Sequence, residues 1–322
     1  MTKIFNSQII SSGSYLPEKI VTNFDLEKTT DTTNEWIVER TGINQRHIAG
    51  ENELTSDLGF FAAKNALINA GLEALDIDLI ILATTTPDLT FPSSATTIQA
   101  KLGAKNAFAF DVQAVCSGFV YALNVADNFI KAGQIKNALV IGADILSRIV
   151  DWSDRNTCVL FGDGAGAVVL QSVEDKNIGI LASGLYSDGS LNSILNTSGG
   201  VSSSKTSGFI QMQGKEVFKH AVDKMTKSVI DVLAKVNLQP KDIDWLIPHQ
   251  ANARILSAVA KKLDLEEEKV IMTVAQHANT SAASIPLALD FALKNNKIKK
   301  GDLIVFEALG AGLTWGAIAV RW

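Results

Sequence analysis

Four pairs of similar segments follow one another in the same order along the two halves of the chain. That shared order constrains the fold more than any single motif does. LDIDLIIL at 75–82 is similar to KDIDWLIP at 241–248, offset by 166 residues (75 to 241). Cys116 opens CSGFVYALNVADNFIKAG and Asn279 opens NTSAASIPLALDFALKNN, offset by 163 (116 to 279). ALVIGA at 138–143 is similar to DLIVFEA at 302–308, and GAVVL at 166–170 to GAIAV at 316–320. The shared order implies a duplicated unit. The two expected units are residues 1–172 and 173–322.

Within each unit, short apolar runs alternate with amphipathic stretches, the pattern of an α/β fold with buried strands. Strands are expected at Asp78–Ala83, Phe108–Val115, Ala138–Gly142, Asp244–Ile247 and Asp302–Phe306. Phe119, Val120, Leu123, Ala126, Phe129 and Ile130 recur at helical spacing, with Gly133 where a C-terminal cap belongs. Val217, Phe218, Ala221, Val222, Met225, Val229 and Leu233 predict a second helix in the same way. At 47% hydrophobic and 20% charged residues, the chain can bury a large core. Its net charge of −5 argues against nucleic acid as a general partner. No run approaches the roughly 18 apolar residues of a membrane span, and the N-terminus does not resemble a secretory signal. With only two cysteines, the expectation is no disulfide framework and a reducing cytoplasm.

Chemically capable residues fall just after predicted strands, where open α/β sheets form their sites. Cys116 opens a helix, whose unpaired N–H groups and positive dipole end favour thiolate over thiol. Core filler is the competing reading for Cys116, and it is the preferred one for Cys158, which lies in the strand-like NTCVLFGDGAG. His249, in PHQAN, follows a strand; His47 and His220 are read as structural or exposed. FGDGAGA at 161–167 lacks both the GxGxxG spacing and the GK[ST] ending, and is read as a tight turn. No Cys/His spacing suits a metal.

ERTGINQRHIA, DVQAVCSGFVYAL, FGDGAGAVVL, PHQAN, NTSAASIP and GAGLTWGAIAVRW occur in the order found in the β-ketoacyl-acyl-carrier-protein synthase III family. The resemblance runs from about Ile9 to Trp322. It implies a thiolase-like fold of duplicated βαβαβαββ halves in five α/β/α/β/α layers, and a homodimer. It also implies a Cys116-His249-Asn279 triad that condenses acyl-CoA with malonyl-acyl-carrier protein, starting fatty-acid synthesis. CoA is then a substrate, and no cofactor is expected. Cys116 would carry the acyl group, as covalent catalysis requires. His249 Nε2 and the Asn279 amide would stabilise the enolate left by decarboxylation, and the N–H groups of Cys116 and Ala311 the acyl-transfer oxyanion.

By the same resemblance, Trp36 and Arg155 sandwich the CoA adenine, Arg40 lies near the nucleotide, and Asn252 borders the pantetheine arm. The carrier protein is acidic, so the enzyme needs a local cationic patch. Arg254 matches the main contact, with Lys219, Lys261 and Lys262 supporting it. Phe91 matches a residue closing the acyl pocket from the other subunit, where a large ring favours an acetyl or other short primer. The sequence departs from the family pattern at Ala278 and Ala311, where glycine is common, and at Leu309, where phenylalanine is expected.

Three rivals remain at this level. One is a related polyketide or quinolone starter enzyme. Another is a papain-like cysteine hydrolase, whose Cys-to-His spacing is comparable. The third is a nucleotide-binding oxidoreductase, resting on GDGAGA alone.

Overall fold

The computed structural model describes residues 5–322. Its first half runs β1 (Asn6–Tyr15), α1 (Asn34–Thr41), α2 (Thr55–Ala70), β2 (Leu79–Ala83), α3 (Ser94–Leu102), β3 (Phe108–Val112), α4 (Gly118–Lys131), β4 (Asn137–Ile145) and β5 (Asp163–Val173). The second half runs β6 (Gly179–Ser187), α5 (Gly214–Ala234), β7 (Trp245–Pro248), α6 (Ala253–Lys262), α7 (Ser284–Lys294), β8 (Leu303–Gly310) and β9 (Thr314–Arg321). The first sheet has the order β1-β5-β4-β2-β3 and the second β7-β8-β9-β6.

Strand register repeats between the halves. The parallel pair Leu79↔Ala138 recurs as Trp245↔Ile304. The antiparallel pair Asn137↔Gln171 recurs as Leu303↔Arg321. The counterpart of β3 shrinks to a single bridge, Leu246↔Val270. The β2/β7 and β4/β8 registers share an offset of 166 (79 to 245, 138 to 304), which corrects the 163 inferred around Cys116, while between β5 and β9 it falls to 150 (171 to 321). The true counterpart of Cys116 is Ala282, not Asn279.

Five layers follow from the alternation of side chains along each strand. Leu79, Ile81 and Ala83 of β2 face a central cluster with Phe119, Val120 and Leu123 of α4 and Ile285, Ala288 and Leu289 of α7. Ile247, Ile304 and Phe306 of the second sheet close that cluster from the other side. Ile80 and Leu82 point outward onto α2 and α3, while Leu246 and Val305 point outward onto α5 and α6. Thus α4 and α7, apolar on most of their surface, form the middle layer between two sheets.

The GDGAGA segment is strand rather than tight turn. Its glycines answer to a neighbour across the core. A Cβ on Gly166 would come within 2.7 Å of Pro286 Cβ and 2.8 Å of Leu287 N in α7. With α7 pressed against this strand, the site cannot cradle a phosphate, and the oxidoreductase reading loses its only support. The strand expected at Phe108–Val115 stops at Val112, because the chain turns there to present Cys116. Cys158 is buried as expected, but at the end of a short helix, Arg155–Cys158. No helix of the described residues is long and apolar enough to cross a membrane.

Candidate active site

A cavity of about 830 Å³ receives Cys116 from one half and His249 and Asn279 from the other. Trp36, Arg40, Asn252, Arg254, Leu309 and Ala311 also line it.

Cys116 sits in a 3₁₀ turn, Val115–Ser117, between β3 and α4. The turn is reached through Val115 at φ 48°, a left-handed conformation that a β-branched residue adopts only when its surroundings impose it. Here the imposing neighbour is the end of β8. A Cβ on Gly310 would meet Ala114 O, Cys116 N and Ser117 N at 2.7, 2.8 and 2.9 Å. Helix-end electrostatics alone predict an easily ionised thiol. Burial instead pushes the Cys116 thiol up to about 12, with the Asp144 carboxylate adding to the rise and the Ser281 hydroxyl opposing it. Burial thus opposes the thiolate that a helix end alone would favour at Cys116.

His249 is 2% exposed, and burial lowers it to about 4. Its Nδ1 lies 2.8 Å from Ser284 Oγ, which also accepts from the Gln250 N–H. The Ser284 hydroxyl proton is thus free to donate to Nδ1, leaving the hydrogen of the neutral ring on Nε2. Gln250 is a residue the sequence did not single out. It ties down the PHQAN loop with all its amide groups, donating to Pro248 O and Ile271 O and accepting from Thr273 and Val274 N–H.

Asn279 is held by backbone bonds to the first half: its N–H donates to Leu160 O and its carbonyl accepts from Gly162 N–H. Its Oδ1 accepts from Ser281 N–H at 2.9 Å, so its Nδ2 remains the donor to be aimed into the cavity. Ala278 immediately before it has φ 58° and ψ −161°, a region that belongs almost entirely to glycine. The departure noted at this position therefore carries strain. Ala311 has none, since its φ is not positive.

Two matching family models cover residues 110–189, described as 3-oxoacyl-[acyl-carrier-protein] synthase III, and residues 233–322, described as the C-terminal part of the same enzyme. A β-ketoacyl-[acyl-carrier-protein] synthase III of Wolbachia pipientis is 61% identical, covering 98% of this chain and 99% of its own length. The chain belongs to the β-ketoacyl-acyl-carrier-protein synthase III family. A crystal structure of the synthase III of Aquifex aeolicus has a TM-score of 0.94 at 52% identity, covering 98% of this chain and all of its own. A priming β-ketosynthase from a polyketide pathway reaches the same TM-score at 32% identity, covering 99% of this chain and 97% of its own. Membership removes the papain-like hydrolase.

The other residues expected from the family stand as follows. Trp36 is positioned by α1, whose N-cap Thr33 accepts from the Trp36 N–H at 3.1 Å. The guanidinium carbons of Arg40 and Arg155 lie 4.8 and 5.2 Å from the Trp36 ring centroid. Arg155 also bonds the Asp31 carbonyl at 3.0 Å. Asn252 caps α6 by accepting from the Ile255 N–H at 3.0 Å, which leaves its NH₂ available. Arg254 is exposed at the start of α6, stacked over Phe218 at 5.9 Å. Lys219, Lys261 and Lys262 are exposed on α5 and α6, with Lys262 paired to Asp223 at 3.4 Å. Phe91 does not line the cavity of its own chain; it projects from its loop, 81% exposed. Sequence reasoning also missed Asp144. This fully buried carboxylate accepts from Thr84 Oγ1, Thr85 N–H, and both the N–H and Oγ1 of Thr86. The hydroxyl run TTT at 84–86 was the available signal.

Proposed function

We propose that the protein starts fatty-acid synthesis by condensing a short acyl-CoA with malonyl-acyl-carrier protein, giving β-ketoacyl-acyl-carrier protein, CoA and carbon dioxide. The observation that carries this reading is one cavity shared by a thiol, a neutral imidazole with Nε2–H, and an amide donor. Relatives at 54–61% identity bear the synthase III name, whereas the polyketide priming enzyme stands at 32%. That difference favours the fatty-acid reading over a polyketide or quinolone starter role.

In the first half-reaction the Cys116 sulfur attacks the acyl thioester. The thiol proton leaves with the departing CoA sulfur, and the Cys116 and Ala311 N–H groups receive the transient oxyanion. In the second, malonyl thioester loses carbon dioxide, and the enolate oxygen is held by His249 Nε2–H and Asn279 Nδ2–H. The enolate carbon then attacks the acyl-Cys116 carbonyl, and the sulfur leaves and takes a proton from water, the one proton that the net reaction consumes. A histidine lowered to about 4 suits this role, because at neutral pH it donates without carrying charge. Residues 1–172 would thus supply the nucleophile and 173–322 the enolate donors.

Trp36, Arg40, Arg155 and Asn252 would bind the CoA substrate, and no other cofactor is needed for the electron balance. Arg254, with Lys219, Lys261 and Lys262, would dock the acidic carrier protein. Leu309 would form part of the acyl pocket wall. An outward-facing Phe91 suits a homodimer in which it enters the partner's acyl pocket and restricts the primer to acetyl or similar size. A cytoplasmic location accords with the substrates. The test is intact-mass measurement after incubation with acetyl-CoA. One acetyl group should appear on the native enzyme and none on Cys116→Ala; label persisting in the variant would sink the assignment.

A further inference from the structure

We propose that Arg46 is a positioning residue for Asn279: from behind the cavity wall, its guanidinium ties the segment that holds Asn279, Val159–Gly162, to a hairpin near the start of the chain. This rests on the enolate role given above to Asn279. Val159, Leu160 and Phe161 line the cavity beside Asn279. Leu160 O accepts from the Asn279 N–H at 2.9 Å, and the Gly162 N–H donates to the Asn279 carbonyl at 3.0 Å. Phe161, between them, forms a parallel bridge with Asn279. Where this segment lies, the Asn279 amide follows.

Arg46 fixes where it lies. It belongs to the hairpin that pairs Lys19–Thr22 with Gln45–Ile48, and it is fully buried. On one side Nη1 donates to Val21 O at 3.2 Å and to Asn23 Oδ1 at 2.9 Å. On the other, Nη2 donates at 2.9 Å to Val159 O, 113 residues further along the chain. The stem packs on the segment as well. A Cβ on Gly162 would come within 3.1 Å of Arg46 Cβ and 2.9 Å of His277 O, two residues before Asn279. Asn44, leading into the hairpin's second strand, holds the Asn279 loop from its other end, donating its N–H to Ala275 O at 2.9 Å.

All three Arg46 acceptors are neutral, and its Nε–H has no partner. Burying a guanidinium on such terms is costly, and a cost of that kind is expected where the geometry it fixes serves function. The planar fork suits the task, because it spans hairpin and segment at a set distance that a single ammonium cannot bridge.

Arg46→Lys keeps the charge and much of the stem but loses the fork. Two rates test it: Cys116 acetylation by intact mass, and carbon dioxide release from malonyl-acyl-carrier protein. Carbon dioxide release should fall about tenfold to a hundredfold, as displacement of a donor by up to about 1 Å predicts. Acetylation should stay near the native rate. In an Asn279→Ala background the same change should cost nothing further, since Arg46 acts through Asn279. A general weakening of the fold would slow both reactions and add to the Asn279→Ala loss; either result, or carbon dioxide release at the native rate, would overturn the proposal. Gly162→Ala, which presses the Arg46 stem and the His277 backbone apart, should give the same split and serves where Arg46→Lys does not fold. Equal slowing of both reactions in that variant would likewise overturn the proposal. A native enzyme that releases no carbon dioxide would instead sink the synthase reading, so the two failures are distinct.

Discussion

Replacing Gly310 by alanine should disable the nucleophile while leaving the protein folded. The new Cβ would stand 2.7 Å from Ala114 O, 2.8 Å from Cys116 N and 2.9 Å from Ser117 N. All three atoms are backbone, so no side chain can rotate out of the way, and β8 or the nucleophile turn must shift. Overpacking of this kind costs about 1–3 kcal/mol. Spread over the unfolding entropy of a chain this long, it lowers Tm by only about 2–5 °C. Catalysis is far less tolerant, because misplacing a reacting group by about 1 Å costs about a hundredfold in rate. Both proposed oxyanion donors move together, since Ala311 follows the altered residue directly. The assay is the time course of Cys116 acetylation by intact mass, run beside thermal unfolding. Gly189→Ala serves as a control, because its Cβ would meet nothing within 4 Å. Acetylation of Gly310→Ala at the native rate would refute the claim that β8 sets the position of the thiol.

Three further outcomes follow from the same geometry. His249→Ala should lose malonyl decarboxylation, followed by released carbon dioxide, more severely than acetyl transfer; equal losses would remove His249 from the enolate role. Ala278→Gly should relieve the φ 58°, ψ −161° backbone and raise stability by about 1 kcal/mol in urea unfolding; a lower midpoint would contradict the strain. Glu307 is fully buried, both its oxygens lack partners, and burial raises it to about 8. Because its folded value lies above its unfolded one, its stabilising contribution is complete below the usual carboxylate range and is lost as pH rises through about 8. Glu307→Gln should therefore reduce the fall in unfolding free energy between pH 5 and pH 8 by a few kcal/mol; an unchanged slope would place the pH dependence elsewhere.

The strands and helices were legible because burial on both faces leaves continuous apolar runs such as DLIILA and DLIVF. Cys116, His249 and Asn279, which line one cavity, stood out because they lie in long shared motifs, the first two just after strand ends. What escaped the sequence depends on contacts between distant segments. GDGAGA has the composition of a turn, yet its glycines are set by α7, more than a hundred residues away. The offset of 163 follows surface likeness between CSGFVYAL and NTSAASIP, whereas register fixes 166 through turns whose φ values no letter reveals. A helix end argues for thiolate at Cys116, but the desolvation that opposes it arises only when both halves close over it. Ser284 looked like an ordinary small residue in NTSAAS, since its importance lies in His249 and Gln250, which a separate loop brings to it.

The Arg155 guanidinium already rests on the Trp36 indole at 5.2 Å. In the proposed CoA site a purine sandwiched between them would need a wider gap, so nucleotide arrival would be an exchange of partners rather than the filling of a slot. The incoming ring would recover only the difference between its own stacking and the cation–π contact it breaks. On departure, Arg155 would return and compete with re-entry. Such an arrangement trades affinity for turnover: it would make the spent carrier, CoA, easier to release before the second substrate needs the same cavity.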